Sequence, residues 1–226
     1  MSEPVRNRIL LVEDETLIAM NEKLQLEKYG YTVGVVSTGE EAVEAVQTSS
    51  DIDLILMDVN LGSGIDGTQT AEIILRGHDV PIVFLSSHTE PDIVEKTETI
   101  SSYGYVVKNS NVAVLDASIK MALRLFDAKV EAQKNEVALR RSEEKYRLQF
   151  MHMNSYNSMY EVVADDDGNP YDFRFLMVNP AYEELVGKTA SELIGKTLLD
   201  VFPQTEPYWL DKMAETVITG EPRTSE

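Results

Sequence analysis

The first half of the chain alternates short apolar runs with longer stretches in which apolar residues recur every three or four positions. The short runs are rich in Val and Ile and are bounded by Gly, Pro, Ser or Asp, which is typical of β-strands. The longer stretches have the period of amphipathic helices. The predicted strands are residues 9–12, 32–36, 54–57, 82–85 and 105–107. The predicted helices are residues 15–29, 39–48, 67–76, 91–100 and 111–126.

Local signals support these elements. In the first predicted helix Leu17, Met20 and Leu24 lie three or four residues apart, and Gly30 follows where the helix would end. Thr38 precedes the second predicted helix and is a suitable N-cap. The strand runs show little polar alternation, which indicates strands buried on both faces. Five β–α units therefore predict an α/β fold, a doubly wound five-stranded parallel sheet covered by helices.

A long helix is predicted after this sheet. Residues 119–150 contain no Gly and no Pro and are rich in Ala, Glu, Lys, Arg and Gln. Apolar residues near heptad seam positions are Leu123, Phe126, Val130 and Val137, and polar residues interrupt the seam at Gln133, Arg140 and Glu144. The helix therefore either pairs imperfectly with a partner helix or forms a solvated linker.

The remainder predicts a second, α+β domain. Residues 159–164 and 172–178 read as the strands of a β-hairpin around an acidic turn at 165–170. Short helices are predicted at 180–186, 190–194 and 208–219. A two-stranded sheet needs further strands, so we expect the chain to be the N-terminal part of a longer protein. The expected domains are 1–126, a connecting helix at 127–150, and 151–226.

Composition and charge narrow the range of possible functions and partners. The chain has 226 residues, 43% of them hydrophobic, which is enough to build globular domains. Its net charge is −19, which argues against nucleic acid or an anionic membrane surface as a partner. No apolar run approaches the ~18 residues of a membrane span. The absence of cysteine excludes disulfides and thiolate chemistry and is compatible with a cytoplasmic protein.

Polar residues collect at the carboxyl ends of the predicted strands, where open α/β sheets bind ligands. They are Glu13, Asp14 and Glu15 after the first strand, Asp58 and Asn60 after the third, Ser86 and Ser87 after the fourth, and Lys108 after the fifth. Converging carboxylates require a cation, and oxygen ligands favour Mg²⁺. With a lysine and a hydroxyl, they suit phosphoryl transfer to an Asp oxygen. The alternative is helix capping, by Asp14 for the first helix and by Ser86 or Ser87 for the fourth.

The motifs around these residues resemble the receiver domain of two-component response regulators, over about residues 7–126. They are LLVEDE at 10–15, MDVNL at 57–61 followed by Asp66-Gly67, VFLSS at 83–87, and GYVVK at 104–108. The resemblance implies a flavodoxin-like fold with Asp58 as phospho-acceptor. It also implies that Glu13 and Asp14 form the acidic pair that binds Mg²⁺, with Asp14 the more direct ligand, and that Asn60 contributes its backbone carbonyl to the metal.

The resemblance assigns three further roles. Ser86 matches the switch hydroxyl, Tyr105 the switch aromatic residue and Lys108 the lysine that contacts phosphate. Two positions depart from the family pattern. Ser87 stands where a small residue is usual, and Asn109 replaces a proline that often follows a cis bond. A cis bond without proline costs ~2.5–4 kcal/mol, so we expect a trans bond after Lys108.

Residues 62–67 match the dinucleotide-binding pattern G-x-G-x-x-G. They follow the third strand instead of the first, and they begin four residues after Asp58, where fixed negative charge would repel a pyrophosphate. We therefore interpret them as a flexible loop over the acidic site.

The second domain resembles a PAS sensory domain over about residues 146–226. The similarity lies in VNPAYEELVG at 178–187, SELIGK at 191–196 and DVFP at 200–203. Without cysteine there is no cysteinyl-flavin chemistry, and any ligand stays unknown. Aromatic and Met residues that could line a ligand pocket, or simply form the core, are Phe173, Phe175, Met177, Tyr182 and Trp209.

These expectations combine into a phosphorelay hypothesis. Asp58 would accept a phosphoryl group, with Mg²⁺, from the phosphohistidine of a kinase or phosphotransfer domain, and the helix would relay the change to the PAS domain, within a hybrid sensor histidine kinase. The chain would carry no kinase core, and it could form a homodimer through the helix. Two alternatives are weaker. A Mg²⁺-dependent aspartyl-phosphate phosphohydrolase needs an acid where Asn60 stands, and a flavodoxin-like FMN carrier needs a phosphate loop where residues 13–15 are acidic.

Overall fold

The computed structural model describes residues 7–49, 51–87, 100, 103–108 and 110–221. It divides into two compact units, Met1–Asn135 and Glu136–Glu226. The predicted helix at 91–100 lies outside the described residues, except for Ile100. Among the residues that are described, no helix is long and apolar enough to span a membrane.

The first unit is a parallel sheet flanked by helices. Its elements are β1 Arg8–Val12, α1 Thr16–Lys28, β2 Thr32–Val36, α2 Gly39–Thr48, β3 Leu54–Asp58, α3 Gly67–Gly77, β4 Ile82–Ser86 and β5 Tyr105–Val107, followed by α4 Val112–His152, which continues into the second unit. The strand order is β2-β1-β3-β4-β5, and every pairing is parallel. This order confirms the predicted doubly wound, flavodoxin-like sheet.

Each face of the sheet carries its own hydrophobic core. Alternate β1 residues point to opposite faces, so that Ile9 and Leu11 join one cluster and Leu10 and Val12 the other. The first cluster packs under α1 and the beginning of α4, and the second packs under α2 and α3. Burial on both faces explains why the strand sequences lack alternation.

Helix α1 forms as predicted, but its most apolar stripe is not its buried face. Leu17 is 85% exposed, and Met20 and Leu24 are also exposed. The residues that α1 buries against the sheet are Ala19 and Leu26. The apolar spacing therefore predicts the helix correctly without identifying the side that packs.

Helix α4 is longer than the predicted helix at 111–126 and includes the predicted connecting helix. Its first turns bury Leu115, Ile119 and Ala122 against the sheet. Beyond these turns, most side chains as far as residue 149 are exposed. The boundary between the two compact units falls within this exposed stretch.

The second unit is built on a β-hairpin. Strand β6, Ser158–Ala164, pairs antiparallel with β7, Pro170–Val178, and the helices are α5 Pro180–Val186, α6 Ala190–Leu193, α7 Leu198–Val201 and α8 Pro207–Thr219. The core contains Phe173, Phe175 and Leu193. Tyr182 packs against this core, whereas Trp209 is exposed. Helix α7 was not predicted.

Candidate functional site

Three strands of the sheet, β1, β3 and β5, deliver charged residues to one edge of the first unit. Glu13 and Asp14 directly follow β1, Asp58 ends β3, and Lys108 directly follows β5. Backbone hydrogen bonds hold two of these positions, since Glu13 N–H donates to the Val36 carbonyl at 3.1 Å and Lys108 N–H donates to the Ser86 carbonyl at 2.8 Å. The parallel topology therefore brings together residues that lie far apart in the sequence.

Lys108 contacts two of the carboxylates at this edge. Its Nζ lies 2.7 Å from Asp58 Oδ2 and 2.6 Å from Glu13 Oε2, and its side chain is 5% exposed. Burial alone would lower the pKa of Lys108, but its hydrogen bonds to Asp58 and Glu13 outweigh burial and raise it. Burial raises the pKa of Glu13, and the contact with Lys108 offsets part of that increase. Lys108 therefore stays a cation at neutral pH.

The carboxylates meet the requirements of a cation site. Ligand oxygens of Glu13, Asp14 and Asp58 lie within 4.8 Å of one another. Three carboxylates against one ammonium leave two negative charges uncompensated. Apart from its ion pair, Glu13 Oε2 has no hydrogen-bond partner in the described part of the chain. A hard divalent ion with oxygen ligands, such as Mg²⁺, fits this donor set and its charge.

Asp14 does not cap α1, contrary to the capping alternative. The N-cap of α1 is Glu15, which makes no side-chain capping bond within the described residues. Asp14 Oδ2 instead accepts a hydrogen bond from Gly62 N–H at 3.1 Å, in the loop after β3. The proposed capping by Ser86 or Ser87 concerns a helix outside the described residues.

Backbone groups that follow β3 fix the position of Asp58. Asp58 is almost fully buried, and its Oδ1 accepts a hydrogen bond from Asn60 N–H at 3.1 Å. Gly67 lies directly behind it, because a Cβ there would be 1.8 Å from the Asp58 carbonyl oxygen. Only glycine permits this approach of α3 to the strand.

Ser86 lies on β4, which pairs with the strand of Asp58, and Tyr105 lies on β5, the next strand of the sheet. Ser86 ends β4 and is fully buried, whereas the neighbouring Ser87 is exposed. Tyr105 begins β5, pairs with Phe84, and packs half-buried against the core under α2 and α3. Tyr105 is thus two positions before the strand end that leads to Lys108. Asn109 lies outside the described residues.

Glu22, a polar residue of α1 beside this edge, is not among the site residues that the sequence predicts. Burial, followed by the charge of Glu13, raises the pKa of Glu22 to about 7. Its Oε2 is buried and has no hydrogen-bond partner among the described residues. The available signal was its spacing, three residues after Ala19 and four before Leu26, which places it on the buried side of α1.

Comparisons with known families agree with this geometry. The model of the response regulator receiver domain matches residues 9–120, and that of the PAS fold matches residues 171–226. The chain therefore belongs to the response regulator receiver family and carries a PAS fold after its receiver domain. This combination supports a role in two-component signalling.

Individual relatives match mainly the receiver domain. The transcriptional regulatory protein PdtaR of Mycobacterium tuberculosis is 34% identical over 135 residues, which are 59% of this chain and 64% of PdtaR. Among solved structures, the N-terminal domain of a response regulator/sensory box/GGDEF 3-domain protein from Carboxydothermus hydrogenoformans is 48% identical with a TM-score of 0.52. That match covers 55% of this chain and 99% of the other.

A second solved structure is the receiver domain of a modulated diguanylate cyclase from Desulfovibrio desulfuricans. It is 32% identical with a TM-score of 0.51, covering 55% of this chain and 98% of the other. The curated relatives are longer than their matched regions, and the chain spans between 34% and 64% of the lengths of PhyR, AfsQ1 and PdtaR.

Proposed function

We propose that the chain accepts a phosphoryl group on Asp58, with Mg²⁺ bound, from the phosphohistidine of a kinase or phosphotransfer domain. The observation that carries this proposal is Lys108 between the buried carboxylates of Asp58 and Glu13, beside a third carboxylate on Asp14. The receiver would comprise residues 1–126, the connecting helix 127–150 and the PAS region 151–226, as part of a hybrid sensor histidine kinase.

The proposed reaction uses residues of the edge directly. An Asp58 carboxylate oxygen forms the new P–O bond while the P–N bond to the donor histidine breaks, and the electron pair of that bond stays on the imidazole nitrogen. Lys108 Nζ lies within reach of a phosphoryl oxygen on Asp58, and the Ser86 hydroxyl on the adjacent strand is the candidate to bond another. Asp14, Glu13, Asp58 and the Asn60 carbonyl would hold Mg²⁺, which supplies compensation of the phosphoryl charge.

Neither alternative chemistry has comparable support. A phosphohydrolase of the aspartyl-phosphate type needs a proton donor two residues after its nucleophile, and the amide of Asn60 cannot supply one. An FMN carrier needs a phosphate cradle after β1, where Glu13, Asp14 and Glu15 are acidic. A phospho-acceptor role for Asp58 needs neither a proton donor at Asn60 nor a phosphate cradle after β1.

We further propose that the phosphorylation signal leaves through α4, and that the partner of this helix is a second copy of the chain. Charge favours this partner, because residues 1–126 carry a net charge of −11 and residues 151–226 of −9, whereas residues 127–150 carry +1. Two copies therefore repel each other least along the connecting helix. Within the second unit, an apolar groove of about 660 Å³ contains Tyr146 and Phe150 of α4 with Met159 and Met177 of the hairpin.

The acceptor assignment is tested by intact mass after incubation with acetyl phosphate and Mg²⁺. The wild-type chain should gain one phosphoryl group, Asp58→Asn should gain none, and Asp53→Asn, which changes an exposed carboxylate at the opposite end of β3, should behave like wild type. Equal labelling of Asp58→Asn and wild type would refute the assignment.

A further inference from the structure

The motif that resembles a dinucleotide fingerprint contacts the acidic site. We call residues 62–67 the glycine loop. Gly62 N–H donates to Asp14 Oδ2 at 3.1 Å, and a Cβ built on Gly62 would lie 2.7 Å from the same oxygen. The loop backbone therefore touches a carboxylate proposed to bind the metal, and a side chain at position 62 would displace that carboxylate.

Helix α2 holds the middle of the glycine loop. Glu40, in the first turn of α2, accepts a hydrogen bond from Ile65 N–H at 3.2 Å through Oε1. Gly64 adopts a φ of +86° against this carboxylate, and a Cβ there would lie 2.5 Å from Glu40 Oε1. The hydrogen bond and the close approach at Gly64 involve the same side chain of a different element, so Glu40 tethers the loop.

The far end of the glycine loop is fixed independently. Gly67 N–H donates to the Val59 carbonyl at 3.1 Å, and Asp66 opens α3 with a capping box that includes Gln69. The segment between Gly62 and Ile65, which includes the amide that bonds Asp14, is therefore held by Glu40 and by the packing of Ile65 on Gly39.

We propose that Glu40 is a positioning residue for the metal site and acts through the glycine loop on Asp14. The inference rests on the proposed function, in which Asp14, Glu13 and Asp58 bind Mg²⁺. A carboxylate already oriented by a fixed amide loses less freedom when it binds a cation, so the tether increases metal affinity without touching the metal. In this proposal the glycine motif positions a metal ligand and does not bind a dinucleotide.

The test is calorimetric titration of the full chain with Mg²⁺ alone. Glu40→Ala removes the tether and should weaken Mg²⁺ binding about tenfold, in the range typical of residues that orient metal ligands. Glu40→Gln keeps an oxygen that can accept from Ile65 N–H, so its affinity should stay close to that of wild type. Gly62→Ala pushes directly on Asp14 and should weaken binding at least as much as Glu40→Ala does.

Two matched controls separate the tether from charge and from chain flexibility. Glu44→Ala removes the same charge from an exposed position of α2, and Gly77→Ala adds a methyl group that meets nothing within 4 Å. Both should bind Mg²⁺ like wild type. Thermal unfolding without metal shows whether each variant is folded before it is titrated.

The outcomes distinguish this inference from the proposed function. Loss of binding in Asp14→Ala with wild-type affinity in Glu40→Ala and Gly62→Ala would overturn the tether and leave the metal site standing. Equal weakening in Glu40→Gln and Glu40→Ala would also overturn it, because charge alone would then explain the effect. Equal Mg²⁺ binding by wild type and Asp14→Ala would refute the metal site itself.

Discussion

At the scale of single residues, one ammonium group stabilises two buried carboxylates. Lys108 contacts Asp58 and Glu13 at less than 3 Å, and all three side chains are almost inaccessible to water. A buried charge without a counter-charge is costly, whereas removing both members of a pair is often tolerated. The asymmetry makes Lys108 the residue of this edge whose loss should affect folding most.

Lys108→Ala should therefore destabilise the fold by about 3 kcal/mol at pH 8 in the absence of Mg²⁺. The loss should shrink toward pH 4, because burial raises the pKa of Glu13, which then takes up a proton in the folded state and no longer needs the cation. Urea unfolding followed by circular dichroism measures both effects. Lys120→Ala is the matched control, since Lys120 pairs with Asp116 at the same 2.7 Å but is mostly exposed, and it should cost less than about 1 kcal/mol.

Glu22 predicts a second pH dependence with a defined sign. Its pKa is about 7 in the folded chain against an ordinary 4.5, so between these values the folded state binds a proton that the unfolded state has released. Stability should therefore fall as pH rises through this range, by about 1 kcal/mol after allowance for partial exposure.

The Glu22 expectation is measured as a difference between variants, because Glu13 contributes with the same sign. Glu22→Gln should flatten the decline between pH 5 and 8 and be more stable than wild type at pH 8. Glu27→Gln, at an exposed position of the same helix, should keep the wild-type slope. Parallel slopes for wild type and Glu22→Gln would show that Glu22 does not titrate in this range.

At the scale of elements, the local sequence pattern predicts which helices and strands form but not which residues they contact. The five strands and the helices at 39–48 and 180–186 follow from residue spacing and from N-caps such as Thr38. Helix α7 has four residues, too few for periodicity to be read, so its capping box between Thr197 and Asp200 is the local signal that could have predicted it. The bond between Gly62 and Asp14 joins positions 48 residues apart, and only the topology brings them together. The burial of Glu22 is likewise a result of packing.

Asn179 shows how one buried side chain joins several segments. It is fully buried and caps α5, because its Oδ1 accepts from Tyr182 N–H at 3.0 Å. The same oxygen accepts from Asn157 N–H at 3.0 Å. Its Nδ2 donates to the carbonyls of Met153 and Ser155 at 3.1 and 2.8 Å. The side chain thus ties the chain after α4 to the end of β7.

Asn179→Ala should destabilise the second unit by about 3 kcal/mol, since a cap is lost together with three further hydrogen bonds of a fully buried side chain. Asn179→Asp keeps the acceptor but replaces the donor by a negative charge beside two carbonyl oxygens, so it should be at least as harmful. Thr197→Ala removes only the cap of α7 and should cost about 1 kcal/mol. Urea unfolding followed by the fluorescence of Trp209, the single tryptophan, reports on this unit. A loss in Asn179→Ala no larger than that of Thr197→Ala would contradict the joining role.

At the scale of the whole molecule, charge and continuity favour α4 as the output. The helix runs without interruption from Val112 to His152, and its central part is near-neutral between two acidic domains. The proposed seam is weak, because Gln133, Arg140 and Glu144 interrupt the apolar positions. A weak seam suits a switch. One binding event shifts an equilibrium only by the difference in its affinity for the two states, so the paired and unpaired helices must differ little in free energy.

Beryllofluoride with Mg²⁺, as a stable substitute for the phosphoryl group, should therefore shift the monomer–dimer equilibrium of the chain. The native sequence has no cysteine, so a single Val137→Cys variant reports pairing at an exposed seam position through disulfide crosslinking. Asn135→Cys, on roughly the opposite side of the helix, is the matched control and should crosslink less. Light scattering should show the same shift in mass, and added salt should favour the dimer by screening the acidic domains. If neither mass nor crosslinking changes while Asp58 is demonstrably occupied, α4 is a passive spacer between the two domains.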